Sequence, residues 1–308
     1  MHHQNLGNDL VVSVPATSAN LGPGFDCLGL SLDLKNRFSV VPSTFTSIKI
    51  QGEGEGYSKF LVDNIFVKLF KARLQKEGIE ENFEFLFQNT IPISRGLGSS
   101  SAIVVGALSA VEHYLRGHLD KETILETSLI YEPHADNITP AIFGGFNVAT
   151  LERVAGNTPS KKVHHLRTSI PSYLKAVMVI PAHTISTKIS RQALPKRCSH
   201  HDASYNVAHA SLLCMAFMQE RWDLLRVASK DRLHQDGRMK LYPVLYGVQK
   251  LALENGALMS TLSGSGSSFF NLCYAEEARH LHKKLQEKYY NFRVLTLDFD
   301  NQGVQVAD

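Results

Sequence analysis

The densest chemical signal in the chain is Pro92-Ile93-Ser94-Arg95-Gly96-Leu97-Gly98-Ser99-Ser100-Ser101-Ala102, which runs straight into the apolar segment Ile103-Val104-Val105-Gly106-Ala107-Leu108. A strand-like run at 83–88 precedes it, so the order is strand, Gly/Ser turn, helix start. Gly96 and Gly98 carry no Cβ and let the backbone turn tightly and approach a ligand. The serines fall where the first unpaired N–H groups of a helix point outward, and that end carries partial positive charge suited to a phosphate. Their hydroxyls add hydrogen bonds or one oxygen ligand for Mg²⁺. The structural alternative is an ordinary serine-capped helix preceded by glycine. There is no Gly-Lys dipeptide, hence no GxxxxGK[ST] loop, and Gly22-Pro23-Gly24 lacks the third glycine of GxGxxG. An ATP site here uses a different arrangement.

Three other stretches carry polar groups at suggestive spacing. Ala16-Thr17-Ser18-Ala19-Asn20-Leu21-Gly22-Pro23-Gly24-Phe25-Asp26 follows a first strand at 10–15. Asn20 offers a donor and an acceptor, and Asp26 a charge for an amine; an Asx-rich turn is the competing explanation. Glu132-Pro133-His134-Ala135-Asp136-Asn137-Ile138-Thr139-Pro140 is either a helix end and turn or a carboxylate site for Mg²⁺ with substrate contacts. Ser263-Gly264-Ser265-Gly266-Ser267-Ser268 is either a hairpin turn or a second wall of a phosphate site.

The bulk composition excludes several classes. The 308 residues suffice for one large or two ordinary domains. A hydrophobic content of 44% with 20% charged residues reads as a soluble globular protein. A net charge of +3, interspersed rather than blocked, argues against nucleic acid as a partner. No apolar run reaches the length of a membrane span, and the N-terminus lacks a signal-peptide pattern. Cys27, Cys198, Cys214 and Cys273 are scattered, without a CxxC pair, and read as free thiols in a reducing cytoplasm. The 14 histidines show no HExxH and no paired zinc spacing.

The elements that must position these groups follow from periodicity. Asp63 is expected to cap a helix with Ile65, Phe66, Leu69, Phe70 and Leu74 on one face and Gly78 as its stop. A helix is expected from Ser100 to about Arg116, and another from Asp120 to Glu132, stopped by Pro133. A composition shift around 153–162 marks a loop and a domain boundary, dividing the chain into 1–155 and 156–308. In the second half, a buried-type strand at 174–180 is followed by helices at about 203–220, 222–235 and 243–255. Strands at 257–262 and 269–274, a helix at 275–289 and a strand at 293–299 complete it. That order predicts an antiparallel α+β sandwich, not a doubly wound parallel sheet.

Taken together and in order, the first loop, Gly96-Leu97-Gly98-Ser99-Ser100-Ser101-Ala102 and Ser263-Gly264-Ser265-Gly266 resemble the three motifs of the GHMP small-molecule kinase superfamily. The first motif, with His134-Ala135-Asp136-Asn137, is similar to that of its homoserine kinase branch. Two departures stand out: Ser267 where proline is common, and Gln235-Asp236-Gly237 before Arg238 where Pro-Tyr is frequent. The resemblance implies an α+β fold with an S5-like N-terminal domain and a ferredoxin-like C-terminal domain. It implies phosphorylation of L-homoserine by ATP with Mg²⁺, a step of threonine biosynthesis in the cytoplasm, and it admits a homodimer. Pro92, residues Arg95 to Ala102, Gly264, Ser265 and Gly266 would bind ATP. Ser100 and Glu132 would hold Mg²⁺, with Ser99 as the other candidate. Arg191 and Arg238 would take the substrate carboxylate and Asp26 its amine, with Asn20 and Asn137 orienting the ligand, His134 nearby and Thr187 beside it. Asp136 is expected to act structurally or electrostatically rather than as a base, because phosphoryl transfer is mostly positioning and charge neutralisation. The alternatives are a GHMP kinase for mevalonate or a sugar, and a non-catalytic ATP-binding relative. A serine hydrolase ranks last, as no GxSxG elbow exists.

Overall fold

The structure is a computed structural model and describes residues 9–154 and 160–307. The chain opens with β1 (Leu10–Ala19) and the long β2 (Leu28–Ser43), which pair antiparallel along their length with a bulge at Pro15/Ala16. Next come β3 (Ser47–Gly52), the short α1 (Ser58–Val62), α2 (Ile65–Lys76) and β4 (Asn82–Asn89). β4 pairs antiparallel with the second half of β2, and β3 adds parallel to β4. The helices α3 (Ser99–Arg116), α4 (Lys121–Ser128) and α5 (Ala135–Phe143) follow, then β5 (Phe146–Val154) and β6 (Ser160–Thr168). β5 pairs with the start of β2, and β6 pairs with β5. Alternation drives this packing: Phe83, Phe85 and Phe87 of β4 are buried and meet Phe38, Phe66 and Phe70 in edge and tilted ring contacts.

The second half contains β7 (Leu174–Ile180), α6 (Thr187–Gln192), α7 (His200–Met218), a 3₁₀ turn at Trp222–Leu224, α8 (Leu225–Ala228), α9 (Gln235–Met239) and α10 (Val244–Glu254). It ends with β8 (Met259–Leu262), β9 (Phe269–Tyr274), α11 (Ala275–Lys288), β10 (Arg293–Leu297) and β11 (Gln305–Ala307). The four strands run in the order β10-β7-β9-β8, every pair antiparallel, as the α+β expectation requires. The near-continuous apolar run of β7 is explained by two covered faces. Leu174, Ala176 and Met178 join the main core with Phe217, Trp222 and Leu225, while Val177 and Val179 face Leu245, Val248, Leu281 and Leu285 under α10 and α11.

Several expectations need correction. The division at 155/156 lies outside the described residues, but the strands on either side of it, β5 and β6, form one hairpin of the N-terminal sheet. That sheet therefore continues to Thr168, and the chain end returns to it as β11 against β1. Asn64, not Asp63, caps α2, accepting from the Val67 N–H, and Ile65 is exposed. The helix expected at 222–235 is broken. The Asp231 carboxylate accepts the N–H groups of Leu233, His234 and Gln235 at 3.1, 2.9 and 2.7 Å, offering the backbone an alternative to helix. The cluster at 132–140 is not a turn alone: from Ala135 it is the helix α5, with Pro140 inside. Proline has no N–H for the Asp136 carbonyl one turn earlier, and Gly29 of β2 packs directly on that carbonyl, where a Cβ would come within 1.8 Å.

A fragment ending at residue 155 lacks both β6 and β11. It is expected to show no cooperative unfolding transition in urea, whereas the full chain does. A cooperative transition in the fragment would restore the boundary read from the sequence.

Candidate active site

Three loops meet at one end of the N-terminal sheet. The first leaves β1, the second enters α3, and the third joins β8 to β9. Backbone and short side chains tie them together. The Gly264 N–H donates to the Ala19 carbonyl at 3.1 Å, and the Ser268 N–H to the Arg95 carbonyl at 3.0 Å. Ser263 Oγ lies 2.7 Å from the Gly96 carbonyl and 2.9 Å from Ser18 Oγ. Thr17 donates its N–H to the Leu97 carbonyl at 3.2 Å and its hydroxyl to Asn137 Oδ1 at 2.8 Å.

These contacts explain the glycines of the second loop. Gly96 has φ of 75°, and a Cβ there would lie 2.1 Å from the Ser263 carbonyl oxygen. Gly98 has φ of 70°, and its Cβ would lie 2.0 Å from Thr17 Oγ1. Gly98 is also the N-cap of α3 and supplies no capping side chain. The N–H groups of Ser99, Ser100 and Ser101 precede the first helical bond, which Ala102 makes to the Gly98 carbonyl at 2.8 Å. An 18-residue helix thus presents its positive end and its first donors at the loop.

A cavity of ≈ 460 Å³ opens in front of that helix end. Asn20, Asp26, Pro92, Arg95, Gly96, Leu97, Gly98, Ser99, Ser100, Ser101, Glu132, His134, Asp136, Asn137, Thr187, Arg191, Arg238, Gly264 and Ser265 all line it. Of the expected site residues, Ala102 and Gly266 do not. Ala102 is fully buried in the core, and Gly266 folds into the turn, donating to the Ser263 carbonyl at 2.8 Å. Two of the lining residues also brace the loops with their side chains. The Arg95 guanidinium is spent on the carbonyls of Pro181, Ile93 and Ala182 at 2.9, 2.7 and 2.8 Å, fastening the loop to the end of β7. The Asn20 amide bridges two loops, donating to the Gly264 carbonyl at 2.9 Å and accepting the Asp26 N–H at 3.0 Å. Asn20 thus braces the first loop while it lines the cavity.

One end of the cavity is walled by the apolar Ile50, Phe60, Phe87 and Ile93, with Asn64 and Asn89 and the charged Lys59 and Asp63 beside them. Apart from Ile93, sequence reasoning missed this end, because its other residues come from β3, α1, the N-cap of α2 and β4 with no shared motif. Asn89 Oδ1 is buried there without a partner. The opposite end is charged. Arg191 grips Asp26 with two bonds, at 2.7 and 3.3 Å, and His134 Nε2 lies 4.0 Å from the same carboxylate. Arg238 is buried and donates to the Gly264 carbonyl at 3.0 Å; burial first, and the Arg191 charge second, push its pKa down to about 10. Asp136 is also buried, and desolvation followed by the Asp26 charge pushes its carboxyl up to about 7. Between the two ends, Ser100 Oγ donates to Glu132 Oε1.

A family model described as GHMP kinases N terminal domain matches residues 64–145, and one described as GHMP kinases C terminal matches residues 215–291. Homoserine kinase of Helicobacter pylori is 59% identical over 297 residues, covering 96% of this chain and 99% of that protein. The chain belongs to the homoserine kinase family of the GHMP kinases. Homoserine kinase of Campylobacter jejuni is 50% identical over 298 residues, with 96% and 99% covered. The crystal structure of homoserine kinase from Cytophaga hutchinsonii superimposes with a TM-score of 0.82 at 24% identity, over 100% of both chains, and so shares the fold. That of a mevalonate kinase does so with 0.68 at 16% identity, over 95% and 99%. For a homoserine kinase family member, the missed groups are informative. Thr17 bonds Asn137 across 120 positions of sequence, Phe25 meets Arg191 and Arg238, and His234 bonds Arg238 and the Gly22 carbonyl of the first loop. Only the resemblance of the first motif could have drawn notice to Thr17 and Phe25, and no sequence signal marked His234.

The Asp136 shift predicts a pH effect. The fold prefers the protonated form, so that stability is fully present below the ordinary value of 3.8 and is lost as pH rises through about 7. Asp136→Asn cannot ionise and escapes that loss. The melting temperature of the variant, relative to the unsubstituted chain, is expected to rise by several degrees between about pH 5 and about pH 8. A constant difference would mean an ordinary carboxyl.

Proposed function

We propose that the chain transfers the γ-phosphoryl group of ATP to the side-chain hydroxyl of L-homoserine, giving ADP and O-phospho-L-homoserine. The observation that carries this reading is a helix N-terminus with free donors facing a preformed Asp26–Arg191 ion pair in the same cavity. A phosphate chain suits the first, and a zwitterion suits the second. Homoserine presents an ammonium and a carboxylate on one carbon, so it offers Asp26 and Arg191 the charges they already offer each other. Arg238 adds donors to the carboxylate. The apolar end, with its amides, takes the nucleobase.

Phosphoryl transfer through a loose transition state needs alignment and charge stabilisation more than proton abstraction. The N–H groups of Ser99 to Ser101 hold the triphosphate where charge develops. Ser100 and Glu132, one hydroxyl and one carboxylate already in contact, form the kind of sparse oxygen set that Mg²⁺ takes alongside nucleotide phosphates. Bound there, the ion would neutralise phosphate charge. Asn137, held by Thr17, sits beside Asp136 and faces the hydroxyl. Asp136, with its carboxyl pushed up to about 7, tempers the negative potential near the ammonium, and His134 Nε2 lies 4.0 Å from Asp26.

A mevalonate or sugar kinase would leave Asp26 and the arginines without a zwitterion to bind, and a non-catalytic relative would need no contact between Ser100 and Glu132. The reading extends to a cytoplasmic enzyme; among the described residues no helix is long and apolar enough to cross a membrane. It extends also to a homodimer, for which the outward Val207, Met215 and Met218 of α7 offer an apolar stripe.

The test is ADP formation from Mg-ATP with L-homoserine, mevalonate, galactose or no acceptor. Only L-homoserine is expected to stimulate it. In the same assay Asp136→Asn is expected to lose less than about a hundredfold in turnover, the low end of what a general base supplies. Stimulation by another alcohol alone would contradict the substrate, and a loss of several orders of magnitude with intact affinity would make Asp136 a base.

A further inference from the structure

Phe25 lies between Gly24 and Asp26 in the first loop and has no polar atom to offer a ligand. Its ring nevertheless meets both arginines of the charged end. The guanidinium carbon of Arg191 is 5.5 Å from the ring centroid and that of Arg238 is 5.1 Å from it. Both fall within the ~6 Å over which an aromatic face attracts a cation. Arg191 comes from α6 and Arg238 from α9, so the ring is the group through which two separate helices are registered.

The ring itself is fixed from behind. His234 stacks on it at 5.1 Å with planes 28° apart. The imidazole is buried; its Nε2 bonds the Gly22 carbonyl at 2.7 Å and its Nδ1 meets Arg238 Nη1 at 3.2 Å. A donor on one side and an acceptor on the other define the neutral Nε2–H tautomer. In front, Asp26 has φ of 58° and hangs its N–H on Asn20. The loop therefore cannot slide without breaking contacts on both flanks.

Two guanidinium groups brought together repel, and among the described residues Arg191 has a carboxylate partner, Asp26, whereas Arg238 does not. The Nε atoms of Arg191 and Arg238 are both buried without a hydrogen-bond partner. An electron-rich face beside both cations lowers the cost of holding them close. An aliphatic side chain of similar size would fill the space without that attraction.

We propose that Phe25 is a positioning residue of this site: its ring holds the Arg191 and Arg238 guanidinium groups at the spacing that lets both address one substrate carboxylate. The inference rests on the homoserine reading above and adds to it the group that sets recognition of the carboxylate.

The experiment compares Phe25→Leu and Phe25→Tyr with the unsubstituted full-length chain. Phe25→Leu is expected to raise KM for L-homoserine about tenfold and leave KM for ATP within about twofold, and Phe25→Tyr to stay within about threefold on both. Inhibition against L-homoserine separates positioning from loop damage. Phe25→Leu is expected to weaken 4-hydroxybutyrate, which keeps the carboxylate, about tenfold. It is expected to leave 3-aminopropan-1-ol, which lacks the carboxylate, within about twofold. Should Phe25→Leu not fold, Phe25→Met makes the same comparison at similar volume. Equal weakening of both inhibitors, a parallel rise in both KM values, or no change overturns the role of Phe25. An unsubstituted chain that ignores L-homoserine overturns the kinase reading instead, and does so before any variant is made.

Discussion

The site depends on a helix end that is kept uncapped. Most helices of this length satisfy their first N–H groups with a capping side chain. Here the N-cap is Gly98, left-handed and packed against Thr17, so no such side chain is available. The same crowding that forbids a Cβ at Gly96 and Gly98 pins the second loop to the first and third. The donors stay open because the loop that carries them is locked from both sides, and the sheet, the bulged β1 and the turn between β8 and β9 serve to hold that lock.

Charge is arranged around this end with similar economy. Two carboxylates have partners before any ligand arrives: Asp26 the Arg191 guanidinium, and Glu132 the Ser100 hydroxyl. Asp136 is buried deeply enough to sit near neutrality in its titration, which moderates the negative potential at the charged end. Arg238, at the charged end, is held by a carbonyl and an imidazole, as Arg95 is held by carbonyls. A cation held by neutral groups beside an exchangeable ion pair fits a zwitterion better than a neutral alcohol.

Much of this was legible in the sequence, for reasons that differ by residue. The Gly/Ser loop stood out by its place between a strand and a helix, and reading it as a phosphate site rather than a plain cap took the other two motifs beside it. The charged end was legible only once Asp26, Arg191 and Arg238 were read through the resemblance, since no periodicity links them. The hairpin of β5 and β6 was hidden because a polar Gly/Pro/Ser connection looks the same inside a sheet as between domains. The helix α5 was hidden by Pro140, whose missing donor is absorbed by close contact with Gly29. The break at Asp231 comes from a local side-chain competition with the helix that apolar periodicity does not register, and the bridging role of Asn20 depends on Gly264, far away in the chain.

The most direct test is the affinity of Gly98→Ala for ADP, measured by titration calorimetry on folded protein. Adding one methyl group at φ of 70° against Thr17 Oγ1 should displace the uncapped helix end without removing any polar group. The account predicts binding at least about tenfold weaker, a loss of roughly 1.4 kcal/mol or more. Unchanged affinity in a variant with unchanged helix content would mean that the donors at the start of α3 do not hold the nucleotide.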